Sequence, residues 1–267
     1  MSGPSAVAGA RPRGAAAARR LVAATALAAA LGLAGCASTT GAQARADGGG
    51  SPRASSIDPL EPMNRAVYAF NEFADETVIK PVARGYEAVV PELFRWMIGN
   101  AFENLGSVMT PVHDLLQGKP REAAEQLARV VINTTLGFGG LADVASEMGI
   151  ERRREDFGQT LGRWGVGTGP YLVLPFFGPS SVRDALGFGA DVLTDPLSWT
   201  TDSATVSNTL WALRYVDLRA TLLPAGRLLE SASLDKYVFV RDGYLQRRRN
   251  QLWDGNPPPL PEEEETE

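Results

Sequence analysis

The chain has 267 residues, a formal net charge of −5 at pH 7, one cysteine and one histidine. The acidic balance argues against nucleic acid as a general partner, and a single cysteine excludes an internal disulfide. A zinc site of the usual kind lacks ligands, because such sites draw on several cysteine or histidine side chains.

The N-terminus has the pattern of an export signal. Four arginines precede an uncharged apolar run at 21–33, which is too short to span a bilayer permanently. The run ends in a lipobox-like Leu-Ala-Gly-Cys, which predicts removal of residues 1–35 and attachment of a lipid to Cys36. Acyl chains on that thiol would anchor the protein without a spanning helix. An ordinary signal peptide with a chance cysteine is the alternative, and Arg19-Arg20 leaves twin-arginine export open.

Two segments flanking the central region are predicted to be unstructured. Residues 36–57 are rich in Ala, Gly, Ser and Thr and predict a flexible tether. Ala37 occupies the position where an aspartate would favour retention at the inner membrane, so we expect an outer-membrane location. Residues 254–267 combine prolines with glutamates and predict a disordered acidic tail. The expected domain, 58–253, is long enough for one core.

Hydrophobic periodicity predicts a mostly helical domain. Asp58 is expected to cap a first helix, which carries an apolar stripe from Met63 to Val78. Ser181 and Asp184 are candidate caps of a later helix. Further helices are expected after Pro91, from Pro120 to the glycines at 137–140, and over about 182–194, 206–230 and 234–253, with breaks near Pro111 and Pro224. The sequence contains no run of alternating strands and no internal repeat.

The 19 residues between Arg163 and Arg183 carry no charge. Their length and polarity would suit a membrane span, but their glycines and prolines are incompatible with a regular helix. Irregular backbone at membrane depth is tolerated only when it packs in protein or lines a wet cavity. Segment 164–182 is therefore either a buried loop of a soluble core, which composition alone favours, or part of a pore wall.

Two arginine clusters, 152–154 and 247–249, could meet phosphate headgroups. A solvated loop or helix end is the simpler interpretation of each. The sequence lacks a Gly-x-Ser-x-Gly elbow, because 178–182 fails at its last position, and the glycines at 165–169 lack the Lys-Ser/Thr of a nucleotide-binding loop. We therefore expect His113 to pack or hydrogen-bond, and we expect no enzyme activity, no cofactor and no metal.

Four stretches of the chain are specific enough to carry a family resemblance. They are Asp58-Pro59-Leu60-Glu61 with Asn64-Arg65 and Phe70-Asn71; Asn133-Thr134-Thr135-Leu136-Gly137 with Gly139-Gly140 and Asp143-Val144-Ala145; Gly162 through Phe177; and Arg241 with Tyr244 and Gln246-Arg247. In these stretches, over about 58–248, the chain resembles the MlaA (VacJ) family of outer-membrane lipoproteins.

The resemblance implies an all-α, ring-like domain in the inner leaflet of the outer membrane, with a central amphipathic channel and a Gly/Pro-rich hairpin. It implies that the chain removes misplaced phospholipid from the outer leaflet and passes it to a periplasmic carrier protein, in association with a trimeric porin. A pore-wall role for 164–182 then becomes the favoured interpretation. The expected site residues are Gly165, Gly167, Gly169, Pro170 and Tyr171 at the channel and hairpin, and Phe70 and Asn71 at the lipid-facing edge.

Two alternatives remain beside this interpretation. A structural lipoprotein could scaffold porins without transporting lipid, in which case no phospholipid would copurify with it. A lipid hydrolase would release lysophospholipid, and the missing triad disfavours it.

Overall fold

The structure is a computed structural model that describes residues 58–199, 202–232 and 235–259. The expected signal peptide, Cys36, the tether and the end of the acidic tail lie outside the described residues. In the described part of the chain, no helix is both long and apolar enough to cross a bilayer.

The described residues are mostly helical, which confirms the fold class predicted from periodicity. In chain order the α-helices are α1 (Glu61–Ala74), α2 (Lys80–Val89), α3 (Glu92–Gly106), α4 (Thr110–Leu116), α5 (Pro120–Thr135), α6 (Val144–Glu147), α7 (Phe157–Arg163), α8 (Val182–Thr194), α9 (Ala204–Thr221), α10 (Leu223–Ala232) and α11 (Lys236–Leu252). A π-helical turn, Asp75–Ile79, joins α1 to α2, and 3₁₀ turns at Ser107–Met109 and Pro196–Ser198 follow α3 and α8.

Prolines set several helix boundaries where the sequence predicted them. Pro91 occupies the N-cap of α3, and Pro111 lies in the first turn of α4 after the 3₁₀ interruption. Helix α5 begins at Pro120, and the predicted break near Pro224 falls between α9 and α10. Proline is accepted in a first turn because the N–H that it lacks has no partner within the helix there.

Two capping predictions are wrong, for one physical reason. Leu60, not Asp58, is the N-cap residue of α1, and no side chain caps that end. Ser181 does cap α8, since its hydroxyl accepts from the backbone N–H of Asp184, but Asp184 does not. The carboxylates of Asp58 and Asp184 instead accept hydrogen bonds from tyrosines of α11, Tyr237 and Tyr244. Both carboxylates therefore bond to distant tyrosines and not to the nearby helix-end N–H groups that sequence spacing suggested.

A short two-stranded antiparallel sheet lies inside the uncharged segment. Strand β1 (Tyr171–Leu174) pairs with β2 (Gly178–Ser181), with Tyr171 opposite Ser181 and Leu174 opposite Gly178. This hairpin, whose turn is 175–177, has no alternating apolar pattern in β2, which explains why periodicity did not reveal the strand.

Polarity in the described residues is inverted relative to an ordinary soluble domain. Buried polar and charged side chains outnumber buried apolar ones, and the main apolar cluster consists of Tyr171, Val173, Tyr237 and Tyr244. Large apolar side chains are instead exposed along α1, α2, α3, α4, α5, α8 and α9. Met63, Phe70 and Val78 of the predicted apolar stripe face outward with them. An extended apolar exterior is the informative deviation, because it marks contact with a membrane or another protein.

Candidate functional site

The uncharged segment divides into two parts at Pro170. Residues 164–170, called the glycine loop below, are exposed apart from a half-buried Thr168, with Trp164 56% exposed. From β1 onward, Tyr171 and Val173 are almost fully buried. The segment is therefore neither wholly a buried loop nor wholly exposed: the buried-loop alternative describes the part from Tyr171 onward, and residues 164–170 are exposed.

The three glycines of the loop have different conformational requirements. Gly165 has φ +92° and Gly169 has φ +68°, a left-handed region that side chains with a Cβ rarely adopt. Gly167 has no positive φ, and a Cβ added there would meet no heavy atom within 4 Å. All three glycines lie before the paired strands, so the glycine loop leads into the hairpin rather than forming part of it.

Hydrogen bonds fasten both ends of the glycine loop. At its start, the indole Nε1–H of Trp164 donates to the carbonyl oxygen of Leu116 in α4 over 2.9 Å. Near its end, the backbone N–H of Val182 donates to the carbonyl oxygen of Pro170 over 3.1 Å, and Arg183 reaches the hydroxyl of Thr168. Exposed backbone between two fastened ends is free to change shape without detaching from the domain.

One buried amide pins β1 to α1. The side chain of Asn64 is 0% exposed; its Nδ2 donates to the carbonyl oxygen of Tyr171 over 3.0 Å, and its Oδ1 accepts from the N–H of Val173 over 2.9 Å. A further hydrogen bond joins Asn64 Nδ2 to Asp58 over 2.8 Å. Tyr171 consequently lies in the apolar cluster, where its ring packs against Tyr237 and Tyr244. It holds the hairpin in place from the interior.

Phe70 and Asn71 contact the turn of the hairpin and not the glycines. Asn71 Nδ2 donates to the carbonyl oxygen of Leu174 over 2.9 Å, and its Oδ1 accepts from the N–H of Phe176 over 2.8 Å. The rings of Phe70 and Phe176 meet edge to face with centroids 5.2 Å apart. The structure thus joins two groups of residues that the sequence treated separately, through the turn at 175–177.

A charged network lies beneath the hairpin. The guanidinium of Arg248 is bidentate to Asp156, at 2.6 and 3.0 Å, and also reaches both carboxylate oxygens of Asp184. Burial alone would raise the pKa of Asp184, but the hydrogen bonds from Arg248 and Tyr244 lower it to about 2. Arg248 is the middle residue of the cluster at 247–249, so the solvated-helix-end interpretation fails for it, while Arg247 is exposed.

The other arginine cluster is engaged with carboxylates as well. Arg152 donates to Asp143 over 2.8 Å, and Arg154 donates to Glu103 over 2.5 Å. Asp143 is shared with the buried Arg129, at 2.7 and 3.0 Å. These pairs tie the loop before α7 to α3 and α5. Sequence spacing could not reveal them, because the partners are up to 51 residues apart.

The single histidine of the chain, His113, is buried where α4 packs against α7. The ring of His113 is buried, meets Phe157 edge to face at 4.8 Å, and lies 3.2 Å from the hydroxyl oxygen of Thr160. The packing and hydrogen-bonding role predicted for His113 is confirmed. No group of three potential metal ligands occurs among the residues the structure describes.

Asp114, beside this histidine, is 0% exposed, and neither of its carboxylate oxygens has a hydrogen-bond partner among the described residues. Burial, with the nearby negative charge of Glu155, raises its pKa to about 6. Asp114 lies two residues before Leu116, whose carbonyl holds the start of the glycine loop. The group is thus neutral near pH 5 and increasingly charged above pH 6.

Known proteins resemble this chain in sequence and in fold. The model of the family described as MlaA lipoprotein matches residues 56–251. The intermembrane phospholipid transport system lipoprotein MlaA of Shigella flexneri is 38% identical over 219 residues, which cover 80% of this chain and 82% of that protein. The MlaA of Escherichia coli (strain K12), with the same description, is 37% identical over 219 residues with the same coverage.

A solved structure is also similar. It was described under "Structural basis for maintenance of bacterial outer membrane lipid asymmetry", and it matches with a TM-score of 0.64 and 36% sequence identity. The match covers 74% of this chain and 99% of the solved one.

Proposed function

The chain belongs to the MlaA lipoprotein family, and from that premise we propose that it removes misplaced phospholipid from the outer leaflet of the outer membrane. It passes the lipid to a periplasmic carrier protein for return to the inner membrane, and so maintains the lipid asymmetry of the outer membrane. The relatives named above are lipoproteins of an intermembrane phospholipid transport system. The protein carries out this transport without catalysing a reaction.

The inverted polarity is the observation that carries the proposal. An apolar exterior beside a polar, ion-paired interior suits a body immersed in lipid that offers a hydrated passage to headgroups. A soluble domain would gain nothing by exposing Phe70 and Phe73 on α1 and Leu93, Phe94 and Trp96 on α3. At roughly 25 cal/mol per Å², burying such side chains in lipid recovers the free energy that their exposure to water costs.

The exposed part of the uncharged segment supports the proposed passage. Gly165, Gly167, Gly169 and Pro170 border the channel, where an exposed, chargeless backbone allows a headgroup to pass while the acyl chains follow apolar walls. Tyr171 anchors this border in the core. Phe70 and Asn71 hold the turn of the hairpin at the lipid-facing edge. The helices around the passage form a ring in the inner leaflet.

The proposed location and partners extend this mechanism. Acyl chains on Cys36 hold the protein at the periplasmic side of the outer membrane, and the tether at 36–57 spans from the anchor to the domain. A trimeric porin holds the ring in its leaflet, and the periplasmic carrier accepts the lipid. The direction of net flow follows from lipid packing and from the affinity of the carrier.

The substitution Gly167→Pro tests the proposal. Proline fixes φ and removes an N–H, so it stiffens the glycine loop at a position where an added Cβ would meet no heavy atom within 4 Å. Surface phospholipid is measured in cells that carry this variant as their only copy, by labelling with a membrane-impermeant amine reagent, with protein abundance matched by immunoblot. We expect surface phospholipid to rise severalfold. Gly167→Ala, which restricts the backbone less, is expected to give a smaller rise.

The same cells distinguish transport from scaffolding. Unchanged surface phospholipid with Gly167→Pro, combined with absence of phospholipid in the purified wild-type protein by mass spectrometry, would contradict transport and favour a porin scaffold. Copurified phospholipid, together with acylation at Cys36 in the same spectrum, would support the proposal. Release of lysophospholipid by the purified protein would instead indicate a hydrolase.

A further inference from the structure

Phe176, in the turn of the hairpin, has an uncommon backbone. Its φ is +65°, a left-handed conformation that is disfavoured for a residue with a Cβ. Its side chain is 53% exposed, so burial does not offset the strain. Strain of this kind persists only where the surroundings over-determine the conformation. The hydrogen bonds of the Phe176 backbone therefore show what holds it.

Both backbone polar groups of Phe176 are bonded to side chains from different helices. The N–H donates to Asn71 Oδ1 of α1 over 2.8 Å, and the carbonyl oxygen accepts from the hydroxyl of Tyr215 in α9 over 2.9 Å. These two bonds grip the strained residue from opposite sides of its backbone. We call Asn71, Phe176 and Tyr215 the turn clasp.

The face of α9 that carries Tyr215 also fixes α1. Arg219, one helical turn further along, is bidentate to Asp75 with both distances 2.6 Å. Asp75 is the first residue of the π-helical turn between α1 and α2, and π-turns frequently occur at functional positions. One turn of α9 thus sets the position of the hairpin turn and of the helix that bonds to it.

We propose that Tyr215 is a positioning residue for phospholipid passage, which acts through the turn clasp and touches no lipid itself. This inference rests on the proposed function. Tyr215 holds the carbonyl of Phe176 so that the turn of the hairpin keeps one shape beside the passage. Loss of the hydroxyl frees the strained turn, and the barrier that the turn presents to phospholipid becomes leaky.

The substitution Tyr215→Phe tests the clasp, because it removes one hydrogen bond and keeps the ring. Hydrogen exchange by mass spectrometry on the purified, detergent-solubilised full chain should show exchange of the 174–178 amides faster by roughly two- to ten-fold, the factor that one net hydrogen bond predicts. Tyr68→Phe in α1 is the matched control, since its hydroxyl has no hydrogen bond among the described residues, and it should leave that exchange unchanged. Unchanged exchange in Tyr215→Phe would overturn the clasp.

A double substitution tests whether the hydrogen bond from Tyr215 stabilises the strained backbone of Phe176. In the Phe176→Gly background the turn reaches φ +65° without strain, so adding Tyr215→Phe should accelerate exchange less than it does in the wild type. An equal acceleration in both backgrounds would contradict the strain argument.

The positioning role has its own readout in cells. At matched protein abundance, surface phospholipid should rise at least twofold with Tyr215→Phe and stay at the wild-type level with Tyr68→Phe. Faster exchange with unchanged surface phospholipid would overturn the positioning role and leave Tyr215 merely structural. If the wild-type chain itself fails to lower surface phospholipid in a strain that lacks it, the proposed function fails, while the exchange experiment still decides the clasp.

Discussion

The two parts of the uncharged segment differ in what surrounds them, although neither carries a charge. Residues 164–170 are mostly exposed and make few hydrogen bonds away from their ends. Residues 171–181 form a paired hairpin that two amides from α1, Asn64 and Asn71, fix and two tyrosines from α11 cover. The absence of charge therefore does not decide which part of the segment the fold holds, whereas the side chains that reach it from elsewhere do.

The two parts differ in how firmly the rest of the fold holds them. The hairpin is a fixed frame, because its backbone groups bond to Asn64 and Asn71 rather than to water. We expect the glycine loop to change shape more readily, because it is exposed and nothing described lies within 4 Å of an added Cβ at Gly165 or Gly167. Substitutions that act on only one part should therefore have separable effects on stability and on transport.

The largest expected effect comes from removing the amide that fixes the frame. Asn64→Ala leaves the carbonyl of Tyr171 and the N–H of Val173 without their partner, and it also removes a donor to Asp58. Loss of a buried hydrogen-bonding partner costs about 1–3 kcal/mol, so we expect the free energy of unfolding to fall by about 2–3 kcal/mol. Urea unfolding in detergent measures this.

A control substitution at a second asparagine, and hydrogen exchange measured separately in the hairpin and the glycine loop, make that experiment decisive. Asn208→Ala, at an exposed position of α9, should change the free energy of unfolding by no more than about 0.5 kcal/mol. Hydrogen exchange should accelerate at 171–174 in Asn64→Ala and stay as in the wild type at 165–168. Equal acceleration in both parts would refute the division between frame and loop.

The sequence could predict the longer helices and several of their breaks, because proline and glycine act locally, but it predicted no separate helix at α2, α6 or α7. Pro91, Pro111 and Pro120 set boundaries within a residue or two of the prediction. It could also predict the unusual character of 164–182, because a long chargeless run with seven helix breakers is visible in composition alone. The family resemblance supplied the site residues, among them the Asn71 and Phe70 that contact the turn.

The sequence could not predict the partners that fix the site, because each is long-range. Asn64 is 107 residues from Tyr171, and Arg248 is 92 residues from Asp156. Neither the spacing nor the type of these residues distinguishes them from solvated polar groups on a helix. Its position in the sequence made Asp58 a plausible helix cap, but in the fold its carboxylate accepts a hydrogen bond from Tyr237 of α11. Pairings of this kind require the fold.

A smaller effect concerns the helix that fastens the start of the glycine loop. The pKa of Asp114, about 6, exceeds the unfolded value of about 3.9, so the folded protein binds more protons between these values. The free energy of unfolding should therefore fall as pH rises from about 4 to about 6. Asp114→Asn removes that fall and should stabilise the protein at pH 7 by about 1–2 kcal/mol.

The pH titration separates the effect of Asp114 from that of Asp184 in the charged network beneath the hairpin. Asp184, with a pKa of about 2, contributes stability that is present above about pH 4 and lost as pH falls toward 2, the opposite sign. Asp202→Asn, at an exposed position, should leave the slope between pH 4 and 6 unchanged. An Asp114→Asn variant that keeps the wild-type slope would show that the buried carboxyl does not titrate in this range.

A further effect is expected within the glycine loop itself, at the end that leads into the frame. Gly169 has φ +68°, and an added Cβ would lie 3.3 Å from Cβ of Val182, so Gly169→Ala should lower the free energy of unfolding by about 1–2 kcal/mol. Gly167→Ala meets neither constraint and should change it by less than about 0.5 kcal/mol. Equal costs in urea unfolding would mean that Gly169 is no more constrained than Gly167. The predicted inequality instead indicates that the end of the loop is tightened where its backbone approaches Val182 of α8.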